Sequence, residues 1–147
     1  MIRKAQVEDL PNMGDCAREF YASSKFLTDF DPERFASLWT GLLASGIGVI
    51  FIVEKDGKIR GALGGVVYPD TYSSRQVATE FFFFVEEESR GVGLRLYREF
   101  EFWAKEQQCQ EIRMVCLLDS MPDKLDRVYR HLGFEPVERH YRKEIAA

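Results

Sequence analysis

The sequence predicts an α/β fold in which a mixed sheet is covered by helices. Three observations carry that expectation. The unbroken apolar run at 81–85, Phe-Phe-Phe-Phe-Val, reads as a strand buried on both faces. After it come a polar turn, the glycines Gly91 and Gly93, an amphipathic helix over 94–107 and a strand over 112–117. That connection is long enough for a parallel βαβ unit. Upstream, two apolar runs flank Lys55-Asp56-Gly57-Lys58, where Asp-Gly signals a hairpin and hence antiparallel pairing.

The elements follow in order. Residues 2–5 make a short first strand. Residues 7–23 carry apolar side chains at helical spacing: Leu10, Met13, Cys16 or Ala17, Phe20 and Tyr21. Asp31-Pro32-Glu33 supplies an N-cap followed by proline at the first helical position. The helix it opens carries Phe35, Leu38, Trp39, Leu42 and Leu43, and ends near Gly46. Strands at 49–54 and 59–68 form the hairpin, and 69–74 is a polar loop. A central strand spans 77–85. A short helix over 123–131 stops at Leu132-Gly133, and residues 134–145 alternate enough for one or two further strands. Nothing resembles a repeat or an interdomain linker, so the 147 residues are expected to be one domain.

Composition bounds the function. With 46% hydrophobic and 30% charged residues, the chain is of the globular class. A net charge of −4 argues against nucleic acid as a partner. No apolar run approaches the roughly 20 residues of a membrane span, and the start has no signal-peptide core. Cys16, Cys109 and Cys116 show neither CxxC nor Cys/His spacing. They read as buried reduced thiols of a cytoplasmic protein, with no metal expected.

The glycine turn carries the chemistry. Glycines between a strand and a helix let a ligand approach the backbone closely. The free N–H groups and dipole of the helix's first turn favour an anion, so a phosphate or pyrophosphate is expected here. A Walker P-loop is excluded, because no Gly-Lys-Ser/Thr follows the glycines. A dinucleotide fingerprint needs three spaced glycines, and there are two.

Arg90-Gly91-Val92-Gly93-Leu94-Arg95 resembles the Gln/Arg-x-x-Gly-x-Gly/Ala turn of the GNAT superfamily of N-acetyltransferases. Arg95 departs from the small last residue, and Glu87 stands where that family usually has proline. A second motif agrees. Tyr129-Arg130-His131-Leu132-Gly133-Phe134 resembles the family's Tyr-x-x-Leu-Gly-Phe, and Tyr141-Arg-Lys its later Tyr-x-Lys strand. The family's asparagine before the second helix is missing, with residues 120–123 in its place. The resemblance covers nearly the whole chain. It implies a largely antiparallel sheet with a central, splayed parallel strand pair. It also implies acetyl-CoA as co-substrate and an amine as acceptor, attacked directly in a ternary complex.

Under that resemblance, Arg90, Gly91, Val92, Gly93, Leu94 and Arg95 hold the pyrophosphate. The backbone of Phe84 and Val85 holds the pantetheine arm as an added strand would. Acetyl transfer needs a base for the amine, donors for the oxyanion and an acid for the departing thiolate. Glu80 is the candidate base, since a carboxylate beside four aromatics is desolvated and its pKa raised. Its bland alternative is a strand-end carboxylate in solvent or an ion pair. Tyr129 is the candidate acid, and otherwise a core aromatic. The acceptor entrance falls on the 21–31 connection, with Tyr21 and Phe30 as candidate substrate-binding residues. Phe26, Asp29 and Asp31 lie beside them, and Asp31 is also explained as a helix cap. Phe81 to Phe84 are expected to be core on two faces, Trp39 and Trp103 core, and His131 and His140 surface. A homodimer is a candidate assembly. The competing reading is a non-catalytic acyl-CoA-binding domain of the same fold, acting as a sensor or an interaction module.

Overall fold

A computed structural model describes residues 1–23, 29–118 and 121–146, the side chains of Ser23 and Arg90 aside. Contacts divide the chain into two compact units, Met1–Val115 and Cys116–Ala147.

The first unit is built on a five-stranded sheet in the order β1 (Ile2–Lys4), β2 (Gly48–Lys55), β3 (Lys58–Pro69), β4 (Gln76–Val85) and β5 (Glu111–Arg113). All neighbours are antiparallel except β4 and β5, which are parallel. This is the mixed, largely antiparallel sheet expected. The hairpin turn is the two residues Asp56 and Gly57, with Lys55 paired to Lys58 and φ of +54° and +71°. Both central residues at positive φ give the turn that matches the strands' twist.

The helix expected over 7–23 divides into a 3₁₀ segment, Val7–Met13, and α1, Gly14–Ser23. Pro11, inside the first part, has no N–H to give to a continuous helix. Helix α2, Pro32–Ser45, begins as its sequence dictates. The Asp31 carboxylate accepts the Arg34 N–H at 3.0 Å, and Gly46 ends the helix at φ +76°. Helix α3, Gly93–Glu106, follows a second 3₁₀ segment, Glu87–Val92.

Successive residues of β2 divide between two cores. Ile50 and Ile52 pack with Leu10, Met13, Trp39 and Phe82; Val49, Phe51 and Val53 pack with Leu96, Phe100 and Trp103. Trp39 and Trp103 are both core, as expected. Each fully buried side chain of this size contributes about 1.5–3 kcal/mol.

One feature of β4 corrects the sequence reading. The β3–β4 register runs Gly64↔Phe82 and then Gly65↔Glu80, so Phe81 is the extra residue of a bulge. Phe81 is therefore 54% exposed instead of core, and its ring and that of Phe82 both meet Trp39, at 6.1 and 5.2 Å. Opposite the bulge there is no room for side chains on β3. A Cβ at Gly64 would fall 2.4 Å from the Phe82 ring; one at Gly65 would fall 2.5 Å from the Phe100 ring and 2.7 Å from the Thr79 carbonyl.

Strands β4 and β5 pair only where Val77–Thr79 face Glu111–Arg113. The strand expected over 112–117 thus stops early. Two residues on, the N–H of Val115 goes to the side chain of Glu80 in place of a backbone carbonyl.

The second unit carries α4, Pro122–His131. Gly133 at φ +91° turns the chain back, the Phe134 N–H bonds the Tyr129 carbonyl at 2.9 Å, and the two rings lie 5.6 Å apart. The Gly-Phe of the motif is a helix stop with its hydrophobic contact. The strands expected over 134–145 are not formed: residues 134–146 have no regular structure. Arg139 and Lys143 share a strand face with Val137, Tyr141 and Ile145, and Pro136 has no N–H for a ladder. Those three apolar residues are exposed.

Candidate active site

Glu80 is the one buried charged residue of the described core, at 5% exposure. Its carboxylate accepts the Val115 N–H at 2.9 Å. Burial penalises the ionised form and lifts its pKa to about 7 from an ordinary 4.5, with the hydrogen bond pulling the other way. Glu80 is therefore not in solvent, and among the described residues it has no ion-pair partner. A carboxyl poised near neutrality is suited to proton transfer, and such values cluster at functional sites.

The ladder divides the backbone beyond the bulge. The Glu86 N–H bonds the Arg60 carbonyl at 2.8 Å. By the alternation of an antiparallel pair, Phe84 also exchanges its bonds with β3, at Ala62. The groups that point away from β3 then belong to Phe83 and Val85. Beside them β5 has already ended, so this stretch of β4 edge lacks a β5 partner. The sequence reading named the backbone of Phe84 and Val85 for an added strand; the register turns the backbone groups of Phe84 toward β3 and those of Val85, with Phe83, away from it. The Phe84 ring is buried against Phe20 and Phe82.

The glycine turn fits an anionic group. A Cβ at Gly91 would meet nothing within 4 Å, and one at Gly93 only the Phe83 ring at 3.5 Å. Neither glycine has positive φ, so turn geometry does not require them, and together they leave the backbone open to close approach. Val92 caps α3 without a side-chain hydrogen bond, and no acid stands in the first turn. Leu94 and Arg95 are exposed there, so Arg95 is not packed against the protein. Arg90 belongs to the preceding 3₁₀ segment, and its side chain lies outside the described residues. Of the three glutamates before it, Glu86 is tied to Arg60 at 3.0 Å.

A cavity of about 320 Å³ opens between the end of α1, the start of α2 and the bulge of β4. Tyr21 and Phe30, the two expected acceptor residues, both line it, with ring centroids 4.8 Å apart. Asp29 and Asp31 line it too; Phe26 lies outside the described residues. Sequence reasoning missed Arg34, Phe35, Trp39 and the Phe81–Phe82 pair as parts of this wall. No local signal marked the Phe81–Phe82 pair, because the glycines that admit the bulge lie on the neighbouring strand.

Tyr129 is buried in the second unit against Phe134. The cysteines are free thiols, though only Cys16 is fully buried, where desolvation pushes its pKa up to about 12. Such a thiol is a poor nucleophile. His131 is exposed, and His140 is an exposed partner of Glu138 at 2.9 Å. Among the described residues no cluster of metal ligands occurs, and no helix is long and apolar enough to cross a membrane.

A chain with this sheet, a parted β4–β5 pair and a glycine turn at α3 has the architecture of a CoA-dependent acyltransferase. The chain belongs to the acetyltransferase (GNAT) family, whose model matches residues 15–134, and so to the acyl-CoA N-acyltransferases. No curated protein matches the sequence. Solved structures agree on the fold. The aminoglycoside N-acetyltransferase AAC(6')-Iy in complex with CoA superposes with a TM-score of 0.78 at 20% identity, over 99% of this chain and 95% of the other. A predicted acetyltransferase from Clostridium acetobutylicum with acetyl-CoA gives 0.77 at 19% identity, over 98% and 95%. An aminoglycoside acetyltransferase from an uncultured soil metagenomic sample, in complex with trehalose, gives 0.76 at 22% identity, over 99% and 96%.

Proposed function

We propose that this protein transfers an acetyl group from acetyl-CoA to a primary amine by direct attack in a ternary complex. The observation that carries the reading is Glu80, a buried carboxyl with pKa near 7 at the end of the β4–β5 pairing. The open glycines and uncapped start of α3 would hold the pyrophosphate, with Arg90 and Arg95 as candidate cations. The outward backbone of Phe83 and Val85 would hold the pantetheine arm. When bound, acetyl-CoA supplies an activated thioester. Glu80 takes a proton from the incoming ammonium, whose ordinary pKa is near 10, so that the neutral nitrogen attacks. A C–N bond forms as the C–S bond breaks. The Tyr129 hydroxyl, by its place in the family motif, gives the departing sulfur its proton, and the second proton lost from the acylated nitrogen restores the hydroxyl. Two of the superposed structures are of aminoglycoside acetyltransferases, which makes amino sugars one acceptor class to test.

A second reading, a non-catalytic acyl-CoA sensor, is favoured by one observation: the Glu80 carboxylate already serves the Val115 N–H. Calorimetry with acetyl-CoA tests binding, and thiol release over an amine panel separates enzyme from sensor. Tight binding with no amine-dependent thiol release from any amine would leave the sensor.

A further inference from the structure

From the wall of the 320 Å³ cavity we infer that the acceptor is a small primary amine borne on a flat aromatic body, without an acid group of its own. The inference rests on the transferase reading above. The cavity wall is a continuous series of rings. Tyr21 meets Phe30 at 4.8 Å, Phe30 meets Phe35 at 5.7 Å, Phe35 meets Trp39 at 6.3 Å, and Trp39 meets both Phe81 and Phe82. Rings so arranged accept another ring edge-on or offset, and their faces attract a cation. They offer nothing to a row of hydroxyl groups, whose hydrogen bonds to water would be lost. The cavity is at the small end of ligand sites, about 300–1,000 Å³. That suits one ring and a short amine arm.

The polar part of the wall fixes the charge. Among the described lining residues Asp29 and Asp31 stand with one guanidinium-bearing residue, Arg34, so these three side chains carry a net of one negative charge. This balance attracts an ammonium and repels a carboxylate on the same ligand. Asp31 already holds the Arg34 N–H as a helix cap, so its carboxylate is fixed in place. Phe81 is available because the bulge turns it out of the core, leaving it 54% exposed. It and Phe82 directly follow Glu80 in β4, so an amine against these rings contacts the strand that carries the candidate base, across the bulge from its carboxyl.

The test compares three primary amines with acetyl-CoA by thiol release: 2-phenylethylamine, its carboxylate-bearing relative phenylalanine, and glucosamine. Binding of acetyl-CoA and of 2-phenylethylamine is measured separately by calorimetry. We expect kcat/KM for 2-phenylethylamine to exceed that for each of the others at least about tenfold. Phe81→Ala, at an exposed position, should raise KM for it by roughly threefold to tenfold with acetyl-CoA affinity unchanged. Asp31→Asn, which can still accept the Arg34 N–H, should weaken the amine by a similar factor. Preference for glucosamine, or an unchanged KM in both variants, overturns the inference and leaves the transferase reading standing. So does acetyl-CoA binding with no binding or acetylation of 2-phenylethylamine. Absence of acetyl-CoA binding overturns the transferase reading itself.

Discussion

Replacing Glu80 by glutamine should make the protein more stable and less active, and the gain in stability should depend on pH. The carboxyl has a pKa of about 7 in the folded chain against 4.5 ordinarily, with burial as the first cause. The folded state therefore holds a proton that the unfolded state has released over this interval. Stability from this group is complete below pH 4.5 and is lost as pH rises through 7. At about 1.4 kcal/mol for each pH unit, the loss comes to about 3 kcal/mol. Glutamine keeps the shape and an oxygen for the Val115 N–H, and carries no charge to desolvate. At pH 8 the variant should be more stable by about 1–3 kcal/mol, the lower figure allowing for the new amide N–H groups. Near pH 4.5 the gain should vanish, leaving the variant equal to the wild type or less stable by up to about 2 kcal/mol, the cost of the amide N–H groups. Urea unfolding at the two pH values measures this directly, and thermal melts at pH 8 should shift upward by roughly 2–12 °C. An unchanged or lower stability at pH 8 would refute the reasoning, since it would mean that ionised Glu80 is well accommodated. In turnover the same substitution should remove the limb of kcat/KM near pH 7 and leave the limb of the amine, near pH 10. Identical profiles would return Glu80 to a structural role.

Other expectations are independent of Glu80. Gly93→Val should weaken acetyl-CoA by at least about tenfold by calorimetry. The fold should survive, because the new Cβ meets only the Phe83 ring at 3.5 Å. Tyr129→Phe should lower kcat about a hundredfold in the thiol-release assay, with acetyl-CoA affinity little changed; wild-type turnover would make it a packing residue. Gly65→Ala should destabilise by roughly 1–3 kcal/mol in urea unfolding, because its Cβ would overlap Phe100 and the Thr79 carbonyl.

Local signals in the sequence were readable because local chemistry decides them. Asp31-Pro32 caps a helix wherever it stands, and Asp56-Gly57 closes a hairpin by the φ values those residues accept. The glycine junction before α3 was legible for the same reason, whereas the acceptor role considered for Tyr21 and Phe30 came from chain order in the resembled family. The bulge at Phe81 was not legible. It arises across the hairpin, where Gly64 and Gly65 yield space to Phe82 and to Phe100 of a later helix. A run of four phenylalanines alternates perfectly well without it. The same nonlocality hid half of the Glu80 environment. The neighbouring aromatics foretold desolvation, but the hydrogen bond comes from a residue 35 places on. The tail failed as strands because its alternation places Arg139 and Lys143 among its apolar residues.

Glu80 is also where the fold and the proposed chemistry pull apart. The Val115 N–H needs an acceptor, and an amide oxygen would meet that need without a buried charge. A residue chosen only for the fold would then be glutamine, by about the margin that the urea experiment measures. The bulge reinforces the point. It separates Glu80 from the aromatic face carrying Phe82, since Ala78, two residues before Glu80, belongs to the opposite core with Phe100. The carboxyl is thus kept away from the large aromatic cluster yet still buried, at the place where β4 and β5 cease to pair. Local rules broken at a cost to stability are expected where function needs them. On the proposed reading, that cost to the fold is what a carboxyl able to move a proton near neutral pH requires, and the glutamine variant tests both halves of the trade.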